Sequence, residues 1–142
     1  MPLRAGVTVD VMKPRGVGRL PGLVGFKVVE IEEGKVGAEL DIRPELLAPN
    51  GFLHAATIIA LADTACGYGC LAHLPDGAEN FTTIELKTNF LGTARDGTLA
   101  CIARPAHLGR TTLVWDATVT RVADGGTIAL FRCTQMVLWP KK

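Results

Sequence analysis

Between His54 and His73, Asp63 is the only carboxylate, and no Lys or Arg in that stretch offers it a partner. Burying an unpaired carboxylate is costly, so Asp63 must be hydrogen-bonded, be protonated, or face a cleft or a subunit interface. A carboxyl group in a cleft is a candidate general base or nucleophile. The competing role is structural, an Asp that caps a loop or a neighbouring stretch of backbone. Aspartate has poor propensity inside a helix, which weighs against its being there for packing alone.

A second feature stands just upstream, in Asn50-Gly51-Phe52-Leu53-His54-Ala55-Ala56. Small residues in a first helical turn leave amide N–H groups that lack intrahelical partners and carry the positive end of the helix dipole. A carbonyl aimed at them would have its developing oxyanion stabilised, and loss of one such donor typically costs roughly 3 kcal/mol in a transition state. The plainer alternative is a turn at Asn50-Gly51 followed by packing alanines. Ala55 and Asp63 are eight residues apart, about 12 Å along one helix. One carbonyl cannot reach both within a single subunit. A two-fold dimer with its helices side by side would pair the helix start of one subunit with Asp63 of the other.

Other constellations carry less. Cys66 and Cys70 stand at i, i+4 with His73 nearby, but structural zinc wants four ligands in two spaced pairs. No metal and no cofactor is expected. Cys101 and Cys133 lie in apolar strand-like runs, where Cys acts as a small hydrophobe. No nucleophile elbow, P-loop or dinucleotide fingerprint is present. His54 either contacts substrate or caps the helix, and His73 reads as a surface residue.

The elements that must position these residues follow from periodicity. Leu23 to Ile31 reads as a strand, and Val36, Ala38, Leu40 and Ile42 alternate with polar residues as a second. Pro49-Asn50-Gly51 breaks the pattern, and an apolar helix runs from about His54 to Ala72. Four strands follow. Thr82, Ile84, Leu86, Thr88 and Phe90 share one face of the first. Leu99 to Arg104 is a short strand ending at Pro105, and Leu113, Trp115, Ala117 and Val119 line a third. Asp124-Gly125-Gly126 turns the chain into a last strand, Thr127 to Trp139. Strands with one segregated helix make an α+β arrangement, and a helix apolar on every side needs a sheet curled around it.

Composition sets the bounds. The chain has 142 residues, a net charge of +1, 48% hydrophobic residues and 20% charged. Such a hydrophobic fraction excludes disorder, and the balanced charge argues against a nucleic-acid partner. The length fits one domain over residues 20–142, preceded by a segment, 1–19, that wraps the surface or frays. That segment has no apolar signal core, and the four Cys lie inside apolar runs, the usage of a reduced, cytoplasmic protein. Ala55 to Ala72 approaches the ~20 apolar residues of a membrane span. Its central Asp63 and the glycines 67 and 69 instead fit a buried core helix, with no membrane contact.

The residues also carry a resemblance. Gly51-Phe52-Leu53-His54-Ala55-Ala56 followed by Leu61-Ala62-Asp63-Thr64-Ala65-Cys66-Gly67-Tyr68 resembles the G-x-L-H-G-G…L-A-D-T-A-x-G-Y signature of PaaI-like hotdog thioesterases. The similarity continues through Thr82 to Leu91 and His107-Leu108-Gly109-Arg110-Thr111-Thr112, and spans about residues 20–139. It departs at Ala55-Ala56, where the family has Gly-Gly. The family's Asn often lies six residues before the histidine, at Ala48 here, whereas Asn50 lies four before.

The resemblance implies a hotdog fold, an antiparallel sheet wrapped around one long helix, in dimers that pair into tetramers. It implies hydrolysis of an acyl-CoA thioester, with CoA entering only as part of the substrate. Asp63 would then activate water or attack the carbonyl, the Ala55 amide would polarise it across the dimer, and Asn50 would orient water or the acyl group. Gly51, His54 and Thr64 would line the substrate site. Asn89, Phe90, Leu91, Gly92, His107, Gly109 and Arg110 would border the CoA arm, Arg110 meeting a phosphate by charge-assisted bonding. Two other functions fit the same pattern: a non-catalytic acyl-CoA or acyl-carrier binding protein, and a hydratase or dehydratase using His54 with Asp63.

Overall fold

The apolar stretch forms helix α3, Ala55–Ala72, in a computed structural model that describes residues 1–142. It packs against one face of a six-stranded antiparallel sheet. The strands are β1 (Lys27–Glu32), β2 (Lys35–Asp41), β3 (Asn80–Phe90), β4 (Thr98–Leu108), β5 (Thr112–Arg121) and β6 (Thr127–Leu138), in the spatial order β1-β2-β4-β5-β6-β3. This is the α+β hotdog arrangement that the pattern of elements and the resemblance led us to expect.

Alternation builds the core. Leu113, Trp115, Ala117 and Val119 of β5 stand opposite Gln135, Cys133, Phe131 and Ala129 of β6. All eight are buried beneath α3. Contact between helix and sheet depends on Gly69. A Cβ built there would lie 2.5 Å from two carbons of the Trp115 ring, closer than atoms can approach. The glycines of this apparent membrane-length helix are therefore packing devices.

Several expectations change at the boundaries. Leu20–Val24, whose last two residues read as strand, is instead the short helix α2. Pro21 presets its first turn, and Gly25, at φ +81°, stops it in the left-handed region. These local signals draw Leu23 and Val24 into the helix, and β1 begins only at Lys27. Upstream, α1 (Val9–Met12) is capped by Thr8, whose hydroxyl accepts from the Val11 N–H. Met12 is buried, and the Arg4 N–H donates to the Ala72 carbonyl, so residues 1–19 cross the C-terminal end of α3.

Strand β4 does not stop at Pro105 but runs on to Leu108. Pairing with β2 ends at Ala103, so the missing Pro105 N–H faces no ladder partner, and a bulge follows before His107. A bulge also breaks β3 between Thr83 and Glu85. Thr83 pairs with buried Gln135, while Thr82 pairs with exposed Met136. Thr82 therefore faces away from the helix, and only Leu86, Thr88 and Phe90 keep the inward side expected of the whole strand.

His73 is not on the surface. It is fully buried, its ring centroid 5.3 Å from that of Trp115. Nδ1 lies 2.8 Å from the Gly69 carbonyl, and Nε2 accepts the Gly34 N–H at 2.9 Å. These two partners fix the neutral tautomer with its proton on Nδ1. The ring thereby ties the end of α3 to the β1–β2 turn.

Two outcomes follow. Gly69→Ala improves intrinsic helix propensity by about 1 kcal/mol, yet overpacking against Trp115 costs about 1–3 kcal/mol. The variant should melt below the wild type in a thermal scan. Burial holds the His73 pKa below its ordinary 6.5. The unfolded chain therefore binds a proton more readily than the folded one, and stability falls as pH drops below about 6.5. Melting temperatures between pH 7 and 5 should decline less steeply in His73→Gln than in the wild type.

Candidate active site

The loop before α3 is held by its own backbone and by two side chains. Gly51 turns the chain at φ +85°, and Asn50 Oδ1 accepts the Phe52 N–H at 3.2 Å in an Asx turn. The His54 N–H donates to the Leu46 carbonyl, and the Leu53 N–H to that of Ala94. His54 is the helix cap: its Nδ1 accepts the Ala56 N–H at 2.9 Å. That bond places the imidazole proton on Nε2. One of the two small-residue amides is therefore claimed by the chain itself. The other, the exposed Ala55 N–H, meets no acceptor in the chain.

Asp63 lies on the side of α3 that the sheet leaves uncovered. Ala56, Ala60 and Asp63, at spacings of four and three, share that face, which continues to Gly67 beneath the Phe81 ring. Their small side chains expose the helix to an approaching ligand. Neither Asp63 oxygen accepts a hydrogen bond, and Oδ1 is buried. The capping role is thereby excluded. With no cation to offset it, desolvation raises the carboxyl above its ordinary 3.8.

The structure divides the remaining candidates between the two ends of the sheet. Asn50, Gly51, His54 and Ala55 stand at one end. Phe90, Leu91 and Gly92 lie at that same end, where the Leu91 and Gly92 amides both donate to the Ile128 carbonyl. Asn89 pairs with exposed Leu130 on the outer face of the sheet, and Phe90 with buried Ala129 on the inner. Thr64 is half-buried beside Asp63. His107, near the end of β4, and Gly109 and Arg110, in the β4–β5 turn, lie at the opposite end. There the Arg110 guanidinium lies 4.7 Å from the Trp139 ring centroid, and the Trp139 indole N–H donates to the Arg110 carbonyl. An 18-residue helix separates the two ends, roughly 27 Å.

The thiols stay in the core. Cys66, Cys70, Cys101 and Cys133 are all buried, and burial pushes Cys101 up to about 12 and Cys70 higher still. A hydrogen bond between Cys66 and Cys133 raises the first thiol and lowers the second, and no three His, Cys, Asp or Glu side chains converge. Sequence reading missed one feature, a groove of about 450 Å³ between α2, the segment 43–47 and the first two turns of α3. No periodicity marks it, because its walls come from three separate stretches of chain.

Comparison with known proteins agrees with this architecture. Residues 50–128 match the model of the thioesterase superfamily. A 1,4-dihydroxy-2-naphthoyl-CoA hydrolase of Listeria monocytogenes is 28% identical over 120 residues, 84% of this chain and 95% of the relative. A Haemophilus influenzae thioesterase structure superposes with a TM-score of 0.90 at 21% identity, covering 97% of this chain and 95% of that one. The Escherichia coli PaaI structure, from the phenylacetic acid degradation operon, gives 0.79 at 22% identity, over 91% and 89% of the two chains.

The raised Asp63 pKa has a consequence for stability. The folded chain holds the Asp63 proton more tightly than the unfolded one, so the penalty for ionising it grows as pH rises from 3.8 and is complete above the folded value. Asp63→Asn removes the charge and keeps the shape. It should melt above the wild type at pH 7, with the gain shrinking towards pH 4.

Proposed function

This chain belongs to the thioesterase superfamily, and from that membership we propose that it hydrolyses an acyl-CoA thioester to the free acid and CoA. The carrying observation is Asp63, a carboxylate on a ligand-accessible helix face with no hydrogen bond and no cation. A base raised towards the working pH abstracts a proton from water more effectively than an ordinary Asp. In this reading Asp63 activates water, or attacks the thioester carbon itself. The open N–H of the partner's Ala55 polarises the carbonyl.

Two protomers are needed because Ala55 and Asp63 of one helix are about 12 Å apart. The edges of the sheet support the pairing. β1 is short, bulged and lined by Lys27, Glu30 and Glu32, which discourage strand addition. β3 presents eleven residues with Ile84, Leu86 and Phe90 exposed. Antiparallel association of two β3 strands runs the helices in opposite directions and sets the Phe90 end of one protomer beside the Asn80 end of its partner. His107, Gly109 and Arg110 of one chain are thereby carried towards the Phe90–Gly92 segment of the other, a place for the CoA arm. Exposed Ile102, Leu130 and Met136 on the outer sheet face suit a dimer of dimers. The reduced thiols fit a cytoplasmic enzyme.

His54 argues against hydration chemistry. Its Nδ1 is occupied by the helix cap, which leaves the neutral ring no free basic nitrogen for proton transfer at carbon.

Thiol release from a panel of aryl- and acyl-CoAs tests the proposal, with wild type and Asp63→Asn measured together. Turnover by the wild type should fall at least about a hundredfold in the variant, with ligand binding retained. Equal turnover by the two proteins would remove Asp63 from the mechanism. Binding without hydrolysis of any thioester would make the chain an acyl-CoA binding protein.

A further inference from the structure

The groove beside the helix start has features that hydrolysis alone does not explain. Its volume, about 450 Å³, falls within the range of small-molecule sites. Leu20, Leu23 and Val24 of α2 form one wall, and Leu46 and Leu47 the other. Ala56 and Ala60 form the floor, where any larger side chain would fill it. These alanines lie on the same helix face as Asp63, and His54, which caps the helix next to the open Ala55 N–H, lines the groove as well. The groove therefore opens where the thioester carbonyl is held.

Leu20 and Leu23 are 59% and 69% exposed on a helix of only five residues. Neither is used in the core. Yet α2 is firmly held: Gly25 caps it, the Phe26 N–H donates to the Pro21 carbonyl, and the Arg43 guanidinium donates to the Leu23 carbonyl. Arg43 also faces Glu45 at 3.7 Å, so its charge is already engaged at the rim. All of these residues lie outside the segment that matches the family.

Resting on the thioester-hydrolase reading, we propose that this groove receives an uncharged, apolar acyl group of medium size and that α2 sets the size limit. Leu20 and Leu23 are the specificity-determining residues. Arg43 is a positioning residue, acting through the carbonyl of Leu23. The apolar walls exclude charged acyl groups, since both charges at the rim are paired with each other.

Binding and turnover test this separately. Affinities of CoA, butyryl-CoA and octanoyl-CoA are measured by calorimetry in the Asp63→Asn background, and kcat/KM for the two thioesters in the Asp63 background. Each methylene that enters the groove is worth about fourfold in affinity, so octanoyl-CoA should bind at least tenfold more tightly than butyryl-CoA. Leu23→Trp, at an exposed position that tolerates folding, should lower the octanoyl-to-butyryl ratio at least tenfold in both measurements. Arg43→Gln should lower the same ratio through KM rather than kcat, and Arg43→Lys should restore part of it. A wild type indifferent to chain length, or a Leu23→Trp variant that weakens both thioesters equally, overturns the proposal. Length-dependent binding that Leu23→Trp abolishes, with no thiol released by the wild type, supports the groove while overturning hydrolysis.

Discussion

The seat of Gly69 on the Trp115 ring fixes how closely α3 approaches the sheet, and the rest of the molecule is arranged around that distance. Trp115 is fully buried, and its indole N–H has no acceptor, a loss of about 1–3 kcal/mol. The ring's large apolar area and close helix contact offset that loss. His73 packs beside the same indole and reaches the β1–β2 turn through Gly34. The C-terminal half of α3 is thereby fixed to β5 and to β1–β2 at once. Asp63, less than two turns upstream of Gly69, inherits a rigid mount, as a group that must meet a reacting atom requires.

A helix held this way can leave one stripe bare. The stripe contains Ala56, Ala60 and Asp63, none of which contributes much apolar area to a core. Bare helix surface is tolerable when the residues on it are small and when another surface completes it. The unequal sheet edges indicate where that surface comes from. β1 is protected by charge and a bulge, whereas β3 is long, apolar and unpaired along its outer side. The dimer we propose supplies the missing cover through the β3 edge, and brings together site components that one chain holds at opposite ends.

The helix and the succession of strands along the chain were legible because their signals are strong: eighteen residues of apolar helix bounded by Pro-Asn-Gly and Pro-Asp-Gly, then alternating runs separated by turns. Asp63 was legible as a misfit, a charge without a local partner. What escaped depended on contacts between distant residues or on single inserted ones. The bulge after Thr83 moves Thr82 to the outer face, and no alternation rule anticipates an extra residue. Burial of His73 depends on Gly34 and Trp115, far away in sequence. Leu23 and Val24 of α2 read as the start of a strand, and only Pro21 and Gly25, as start and stop signals, pointed the other way. The groove was invisible because segments 20–24, 43–47 and 54–60 meet only in the folded chain.

The missing partner of Asp63 is itself informative. A chain under selection for stability alone would place a cation beside a half-buried carboxylate, or replace it with Ala. This chain has cations to spare: Arg95 stacks on Phe52 and Arg110 on Trp139, and neither forms an ion pair with a carboxylate. Placing one beside Asp63 would lower its pKa and weaken it as a base. The helix dipole gives no help either, since its stabilising effect on an anion is confined to the first turn. Desolvation without compensation is the arrangement that keeps a carboxylate reactive, and its cost is borne by the tight contact of α3 with the sheet. The open Ala55 amide follows the same logic. His54 takes the neighbouring donor and leaves this one exposed, so each half of the site holds one unsatisfied group of opposite character. In the reaction we propose, a thioester satisfies both, its carbonyl oxygen meeting the donor while the carboxylate, directly or through water, meets the carbon.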